Sequence, residues 1–269
     1  MAVSTAPPTR TNAPIDYALR VTPTPDDAFV LAIDIGASSI KMADVTERGT
    51  IKGSVRRRVT PYPCTPDRLV TLLAARIAKR GIPRVGVGFP GEFRDGVVIA
   101  PGNLARPQGF DSEVDPDLDA QWRGFPLQQA LNERVDAEVR VVNDASLAAL
   151  GSARGEGREL VLTLGTGFGV ALVVDGVLAT IPDYGQLTFF DDESYDAKLG
   201  EHGRAADPDA WLAALRRVLV ELSAQWDSSI IHLGGGNSQR LSVDEVATEG
   251  LTLIIQGNAA PLRGAAKLF

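Results

Sequence analysis

Residues 29–46, FVLAIDIGASSIKMADVT, and residues 160–176, LVLTLGTGFGVALVVDG, repeat one design. Each is an apolar run of strand-forming residues, a glycine-rich break and a second apolar run. Setting the first glycine of each break against the other pairs Gly36 with Gly165. A strand–glycine turn–strand unit presents backbone N–H groups at a tight tip, where they hold an anion. Two such tips in one chain predict two related lobes closing on one phosphorylated ligand. That arrangement points to phosphoryl transfer ahead of other chemistries.

The flanking segments extend the pattern. Residues 51–60 read as a third strand after the turn signal Glu47-Arg48-Gly49, broken by Pro61 and Pro63. Residues 65–80 place Leu69, Leu72, Leu73 and Ile77 at helical spacing, with Thr65-Pro66 as the start. Residues 85–89 form a short buried strand stopped by Pro90-Gly91, and residues 97–99 another. Helix is expected over 126–134, strand over 139–142, and helix over 145–154 behind Asn143-Asp144. After the second hairpin, residues 180–207 read as irregular and acidic. A long amphipathic helix follows over 208–225, then a buried strand over 230–233 and a last strand over 251–256, with a small Ala-rich helix after it. Residues 1–27, rich in Pro, Thr and Ala, read as a flexible N-terminal tail. Three-strand units with interposed helices, used twice, predict an α/β protein. Its N-terminal lobe spans residues 28–142 and its C-terminal lobe 143–269, the last helix being free to return to the N-terminal lobe.

The 269 residues are 44% hydrophobic, enough for a substantial core. A net charge of −7 and the lack of a long basic run argue against nucleic acid as a partner. Arg56-Arg57-Arg58 is the one notable cluster of positive charge. A solvated strand edge is its simpler reading; a phosphate track facing the cleft is the other. The lone Cys64 and the separated His202 and His232 predict neither a disulfide nor a zinc site. With no signal-peptide pattern and no apolar run of membrane-spanning length, a cytoplasmic protein without membrane contact is expected.

Candidate chemistry sits at four places. Asp34 ends an apolar strand, where an unpaired carboxylate is costly. A Mg²⁺ ion, its waters or phosphate-bound water gives that charge a purpose; an ordinary hairpin with an exposed acid is the alternative. Gly36 allows the sharp turn, Ser38 and Ser39 add hydroxyls, and Lys41 supplies a charge to neutralise phosphate. In the second tip, Gly165, Thr166, Gly167 and Gly169 surround Phe168. Three glycines in five residues cost entropy on folding; close approach to a ligand explains them, and a flexible turn is the alternative. The chain lacks the Gly-Lys-Ser/Thr ending of a P-loop. Asp144 stands between strand and helix, as a helix cap or as the general base that takes a proton from an attacking hydroxyl. Gly234, Gly235 and Gly236 allow backbone to pass under a nucleotide base, although a lone glycine run is weak evidence.

Taken together, Asp34-Ile35-Gly36, Ile40-Lys41, Asn143-Asp144, Gly165-Thr166-Gly167-Phe168-Gly169 and Leu233-Gly234-Gly235-Gly236 resemble the ROK family of sugar kinases. The polyphosphate/ATP glucokinase-type members are especially similar, being short and lacking the family's zinc-binding cysteines. The resemblance runs from residue 29 to the C-terminus and takes in Phe89-Pro90-Gly91 and Gly102-Asn103-Leu104. It implies a two-lobed actin-like ATPase fold of the ribonuclease H-like type, with mixed sheets flanked by helices in each lobe. It also implies Mg²⁺, ATP or polyphosphate as phosphoryl donor, a sugar-like acceptor and a homodimer. By the same resemblance Asp34 positions Mg²⁺ or phosphate indirectly, and both tips clamp phosphates. Asn103, Asn143 and Asp144 hold sugar hydroxyls, Asp144 is the base, and glycines 234–236 border the adenosine site.

Where the family carries Glu-x-Gly-His and then a further Glu, this chain reads Asp183-Tyr184-Gly185-Gln186-Leu187-Thr188. Asp183 and Gln186 still bond hydroxyls, with altered reach and charge. The acceptor is thus expected to be a sugar or sugar-like polyol or cyclitol on which glucose is a poor fit. Residues 190–201 have no counterpart. Two functional readings stay open: a Mg²⁺-dependent kinase, and a non-catalytic sugar- or nucleotide-binding or regulatory protein that the altered loop suggests.

Overall fold

The computed structural model describes residues 29–110, 112–189 and 193–269. The tail expected over residues 1–27 and the start of the acidic stretch, residues 190–192, lie outside them. In chain order the strands are β1 (Phe29–Ile35), β2 (Ser39–Thr46), β3 (Ile51–Val59), β4 (Arg84–Phe89), β5 (Glu92–Arg94), β6 (Val97–Ala100), β7 (Pro107–Phe110), β8 (Glu138–Asn143), β9 (Arg158–Leu164), β10 (Phe168–Val174), β11 (Val177–Ala179), β12 (Ile230–Gly234) and β13 (Thr252–Ile255). The helices are α1 (Pro66–Arg80), α2 (Pro116–Trp122), α3 (Leu127–Asn132), α4 (Asp144–Ser152), α5 (Tyr195–Leu199), α6 (Glu201–Ala206), α7 (Pro208–Trp226), α8 (Val243–Val246) and α9 (Ala260–Gly264).

The repeat seen in the sequence is a repeat of topology. One sheet runs β3-β2-β1-β4-β8 and the other β11-β10-β9-β12-β13. In each, an antiparallel hairpin is followed by parallel strands: β1 pairs β2 antiparallel and β4 parallel, as β9 pairs β10 and β12. The first hairpin turns at Gly36, whose N–H donates to Ser39 O at 3.1 Å. The second turns at Gly165, whose N–H donates to Gly167 O at 3.0 Å.

Alternation along the strands sends each sheet's side chains into two layers. Leu31, Ile33, Ile35, Ile40 and Met42 pack toward α1, with Leu69, Leu73 and Ile77. Leu160, Leu162, Leu164, Ile231 and Leu233 pack toward α7, with Leu215, Val218 and Leu222. The opposite sides of both sheets meet α4. Leu147 and Leu150 join Val30, Ala32, Ala43 and Val45, while Ala145, Ala148 and Ala149 join Val161, Ala171 and Val173. A helix packed against both sheets needs no wide polar stripe, which is why the middle of its sequence, Asp-Ala-Ser-Leu-Ala-Ala-Leu-Gly-Ser, is a run of alanine and leucine.

Helix α9 crosses α4, and its Leu262 lies on the first sheet together with Ala265, Ala266 and Leu268 of the 3₁₀ turn that follows it. The crossing is close because two glycines meet. A Cβ on Gly151 would stand 1.9 Å from Ala260 O, and one on Gly264 would stand 1.9 Å from Leu147 O.

Residues 180–207, expected to be irregular, contain α5 and α6. Ser194 starts α5 by accepting from Ala197 N, and Gly200 ends it and begins α6. These five- and six-residue helices are too short to show an apolar period. Strand β11 and helix α2 were likewise not legible as separate elements.

Gly264→Ala is expected to destabilise the fold by about 3 kcal/mol through overpacking, read as a lower urea midpoint. Gly257→Ala, where an added Cβ meets nothing within 4 Å, serves as the control. Matching midpoints for the two variants would show that the helices have room to part.

Candidate active site

A cleft of about 1010 Å³ lies between the two sheets. Every candidate residue read from the sequence lines it except Gly234. Gly234 is buried in β12 opposite Thr163, and the wall is made by Gly235, Gly236 and Asn237 after it. The glycine run therefore reaches the cleft one residue later than expected, because its first member completes the strand ladder.

At the first tip, Asp34 is 6% exposed. Lys41, facing it on β2, donates from Nζ to Asp34 Oδ2 at 2.9 Å. The carboxylate thus has a partner built into the hairpin, and Lys41, expected to neutralise phosphate, is paired with Asp34. Thr60 Oγ1 donates to Gly36 O at 2.6 Å and the Tyr62 hydroxyl to Ala37 O at 2.8 Å, pinning the tip from behind. Across the cleft, Ser38 Oγ lies 3.1 Å from Thr166 Oγ1, so the two tips touch.

The second tip is held by an aromatic cluster. Phe168 stacks on Tyr195 with ring centroids 5.5 Å apart, and Tyr195 meets Tyr184 edge-on at 5.4 Å. This contact sets α5 beneath the tip and brings in Asp196. Phe168 N–H donates to Asp196 Oδ1 at 2.6 Å, and Gln186 Nε2 donates to Oδ2 at 2.8 Å. A Cβ on Gly167 would stand 2.6 Å from the same Oδ1, so only glycine there admits the carboxylate. Asp196 was missed from sequence because it sits in the stretch that lacked a counterpart. The further acid on the acceptor side is Asp196, whereas Thr188 is exposed and bridged to Ser194.

The choice between cap and base at the start of α4 is also resolved in part. Asn143 is the cap: its Oδ1 accepts from Ala145 N at 2.9 Å and Ser146 N at 3.2 Å. Its Nδ2 donates to Gly91 O at 2.8 Å, which ties the Pro90-Gly91 turn to the helix and leaves one N–H for a ligand. Asn103 stands on the neighbouring turn Gly102–Ala105 and lines the same wall. Asp144, the first residue of α4, accepts from Ala145 N at 2.8 Å. Burial pushes its pKa up to about 8, and the negative charges of Asp34, Asp183 and Asp196 push the same way, against the pull of that N–H.

Two lobes of ribonuclease H-like topology, hinged on a shared helix over such a cleft, define the actin-like ATPase fold of the sugar kinases. The chain belongs to the ROK family, whose model matches residues 30–180. It is 28% identical over 225 residues to the polyphosphate glucokinase of Mycobacterium leprae, an alignment covering 77% of this chain and 63% of that protein. It is 27% identical over 249 residues to the polyphosphate glucokinase of Mycobacterium tuberculosis (strain CDC 1551 / Oshkosh), covering 87% and 88%. Among solved structures, the inorganic polyphosphate/ATP-glucomannokinase of Arthrobacter sp. strain KM superposes with a TM-score of 0.72 at 30% identity, covering 89% of this chain and 97% of that one. The class expected from sequence, a ROK-type sugar kinase, agrees with these relatives.

A carboxyl group whose folded-state pKa is raised binds a proton that the unfolded chain has already released. Between its ordinary value and about 8, the folded state therefore loses stability as pH rises. Asp144→Asn is expected to abolish phosphoryl transfer while stabilising the fold at pH 7, by on the order of 2 kcal/mol. Chemical denaturation of both proteins at pH 5 and pH 7 checks this, since the gain should shrink at the lower pH. Near-wild-type turnover in the variant would remove Asp144 from the chemistry.

Proposed function

We propose that the chain transfers a phosphoryl group from ATP or polyphosphate to a hydroxyl of a sugar or sugar-like polyol or cyclitol. The observation that carries this reading is Asp144, a carboxyl with a raised pKa at the head of the helix the two lobes share, in a cleft closed by two glycine tips. Asp144 takes the acceptor proton, and a pKa near the working pH suits that task. Asn103, the remaining N–H of Asn143, and Asp183 orient the acceptor hydroxyls. The N–H groups of Gly36, Gly165 and Phe168 are spent within the tips, and those of Ala37, Ser38, Thr166 and Gly167 are the ones that face the transferring phosphoryl and hold its developing charge. Gly235, Gly236 and Asn237 border the base when the donor is a nucleotide.

Asp34 keeps one carboxylate oxygen outside its ion pair with Lys41. No group of three or more acids, histidines or cysteines among the described residues forms a metal cage. That set fits Mg²⁺, which is held through one or two carboxylates together with phosphate oxygens. Bound there, it would neutralise charge on the phosphoryl oxygens.

On the acceptor side, Gln186 gives an amide N–H to Asp196 and thus orients an acid. Asp183 and Gln186 stand where the family offers a longer Glu and an imidazole, and Asp196 adds an acid beside them. Sites that satisfy particular hydroxyls discriminate strongly when one partner changes. This supports an acceptor other than glucose. A homodimer in the cytoplasm belongs to the same reading, and light scattering decides the oligomeric state.

The acceptor is tested by kcat/KM for glucose, mannose, amino sugars and cyclitols with each donor. A glucose value lower than that of another acceptor by about tenfold is expected, a difference of about 1.4 kcal/mol in transition-state binding. A clear glucose optimum would overturn the altered-acceptor reading. Sugar binding without turnover would favour a sensor.

The acidic limb of the same reaction's pH profile carries the raised pKa. Because Asp144 must be ionised to act, kcat/KM should rise with pH toward about 8. Asp183→Asn removes one of the charges that raise it and is expected to move the limb to lower pH. A limb that stays in place would mean that another group controls it.

A further inference from the structure

The register of β3 separates the three arginines. β3 is the outer strand of the first sheet, and successive side chains point to opposite sides. Arg56 turns toward α1 and bonds Asp44 at 2.9 Å, a carboxylate it shares with Arg80. Arg57 turns the other way, into the cleft. It faces Lys41 on β2, and Lys41 faces Asp34 on β1. Asp34, Lys41 and Arg57 therefore form one row across three strands, each step about 5 Å. The row leads outward from the first phosphate tip to the rim of the N-terminal lobe.

Other cations of the cleft wall are already balanced. Lys41 pairs with Asp34, Arg94 with Glu92, and Arg140 with Glu138, and the charge of Arg240 acts on Glu201. Arg57 has no ion-pair or hydrogen-bond partner among the described residues. Its neighbours on the same side of β3 are the exposed Val55 and Val59, which offer no competing carboxylate. A guanidinium facing a phosphate-transfer cleft without an acid beside it is suited to bind an oxyanion through paired N–H groups.

Resting on the kinase reading above, we propose that Arg57 binds the outer phosphates of an inorganic polyphosphate donor and sets the preference for that donor over ATP. The positions that border a nucleotide base, Gly235 and Gly236, lie on the C-terminal lobe. A nucleotide seated there brings only its terminal phosphates to Asp34. A phosphate chain has no base to seat, and past Lys41 it continues along the row to Arg57.

The test uses Arg57→Ala and Arg57→Lys. β3 is exposed along nearly its whole length, so neither change disturbs the core. Steady-state kinetics are measured with long-chain polyphosphate and with ATP, using the acceptor that the sugar panel selects, and polyphosphate binding is measured by calorimetry. In Arg57→Ala, KM for polyphosphate is expected to rise about tenfold with kcat kept, matching loss of one charged hydrogen-bonding contact. Arg57→Lys should recover part of it, and ATP kinetics should change by less than about twofold. Added salt should weaken polyphosphate use less in Arg57→Ala than in the wild type. Equal losses with both donors, or unchanged polyphosphate binding, would overturn the assignment. So would a wild-type protein that uses ATP and fails to bind polyphosphate, which leaves the kinase reading standing. If no donor supports transfer, the kinase reading fails, and calorimetry alone decides whether Arg57 binds the chain.

Discussion

Everything in the cleft depends on how α4 is held. Among the described residues it is the one helix that both sheets bury, and it begins at the cleft. Its alanines let the second sheet approach on one side, and its leucines fill the first sheet's layer on the other. The glycine contact with α9 fixes the helix along its length. Asp144 is thereby fixed relative to both tips at once, although the tips belong to different lobes. The carboxylate therefore stands at the junction of the two lobes, on an element that both pack against. A base carried on a peripheral loop would lack that property.

Charge is distributed unevenly around that junction. Asp144, Asp183 and Asp196 crowd one side of the cleft; burial first, and then the charges of Asp34, Asp183 and Asp196, favour a proton on Asp144. The donor side is furnished with backbone N–H groups and with the Asp34–Lys41 pair, which is neutral overall. The backbone N–H groups of the tips thus stand apart from the cluster of acids at Asp183 and Asp196.

Much of this was legible in the sequence, and the parts that were not have identifiable causes. Glycine and apolar alternation around Gly36 and Gly165 fixed both hairpins, since turn chemistry and strand period are local. Asn143-Asp144 marked a helix start, but which residue capped and which was left over depended on Gly91, far away in sequence. Gly234 was misplaced by one residue because a strand's end is set by its neighbours' length. Asp196 escaped because its place is created by ring contacts among Phe168, Tyr184 and Tyr195, which no spacing rule encodes. The pairing of Lys41 with Asp34 follows directly from hairpin register, and could have been read by counting back from the turn.

The contact between Ser38 and Thr166 gives the mouth of the cleft a particular character. A bond between two solvent-facing hydroxyls adds about 0.5–1.5 kcal/mol. That biases the shut arrangement by roughly two- to tenfold and no more. The two tips are thus joined by a weak latch, which can part without breaking any strand or helix hydrogen bond. Selectivity has to come from what waits inside, since the doorway itself turns little away.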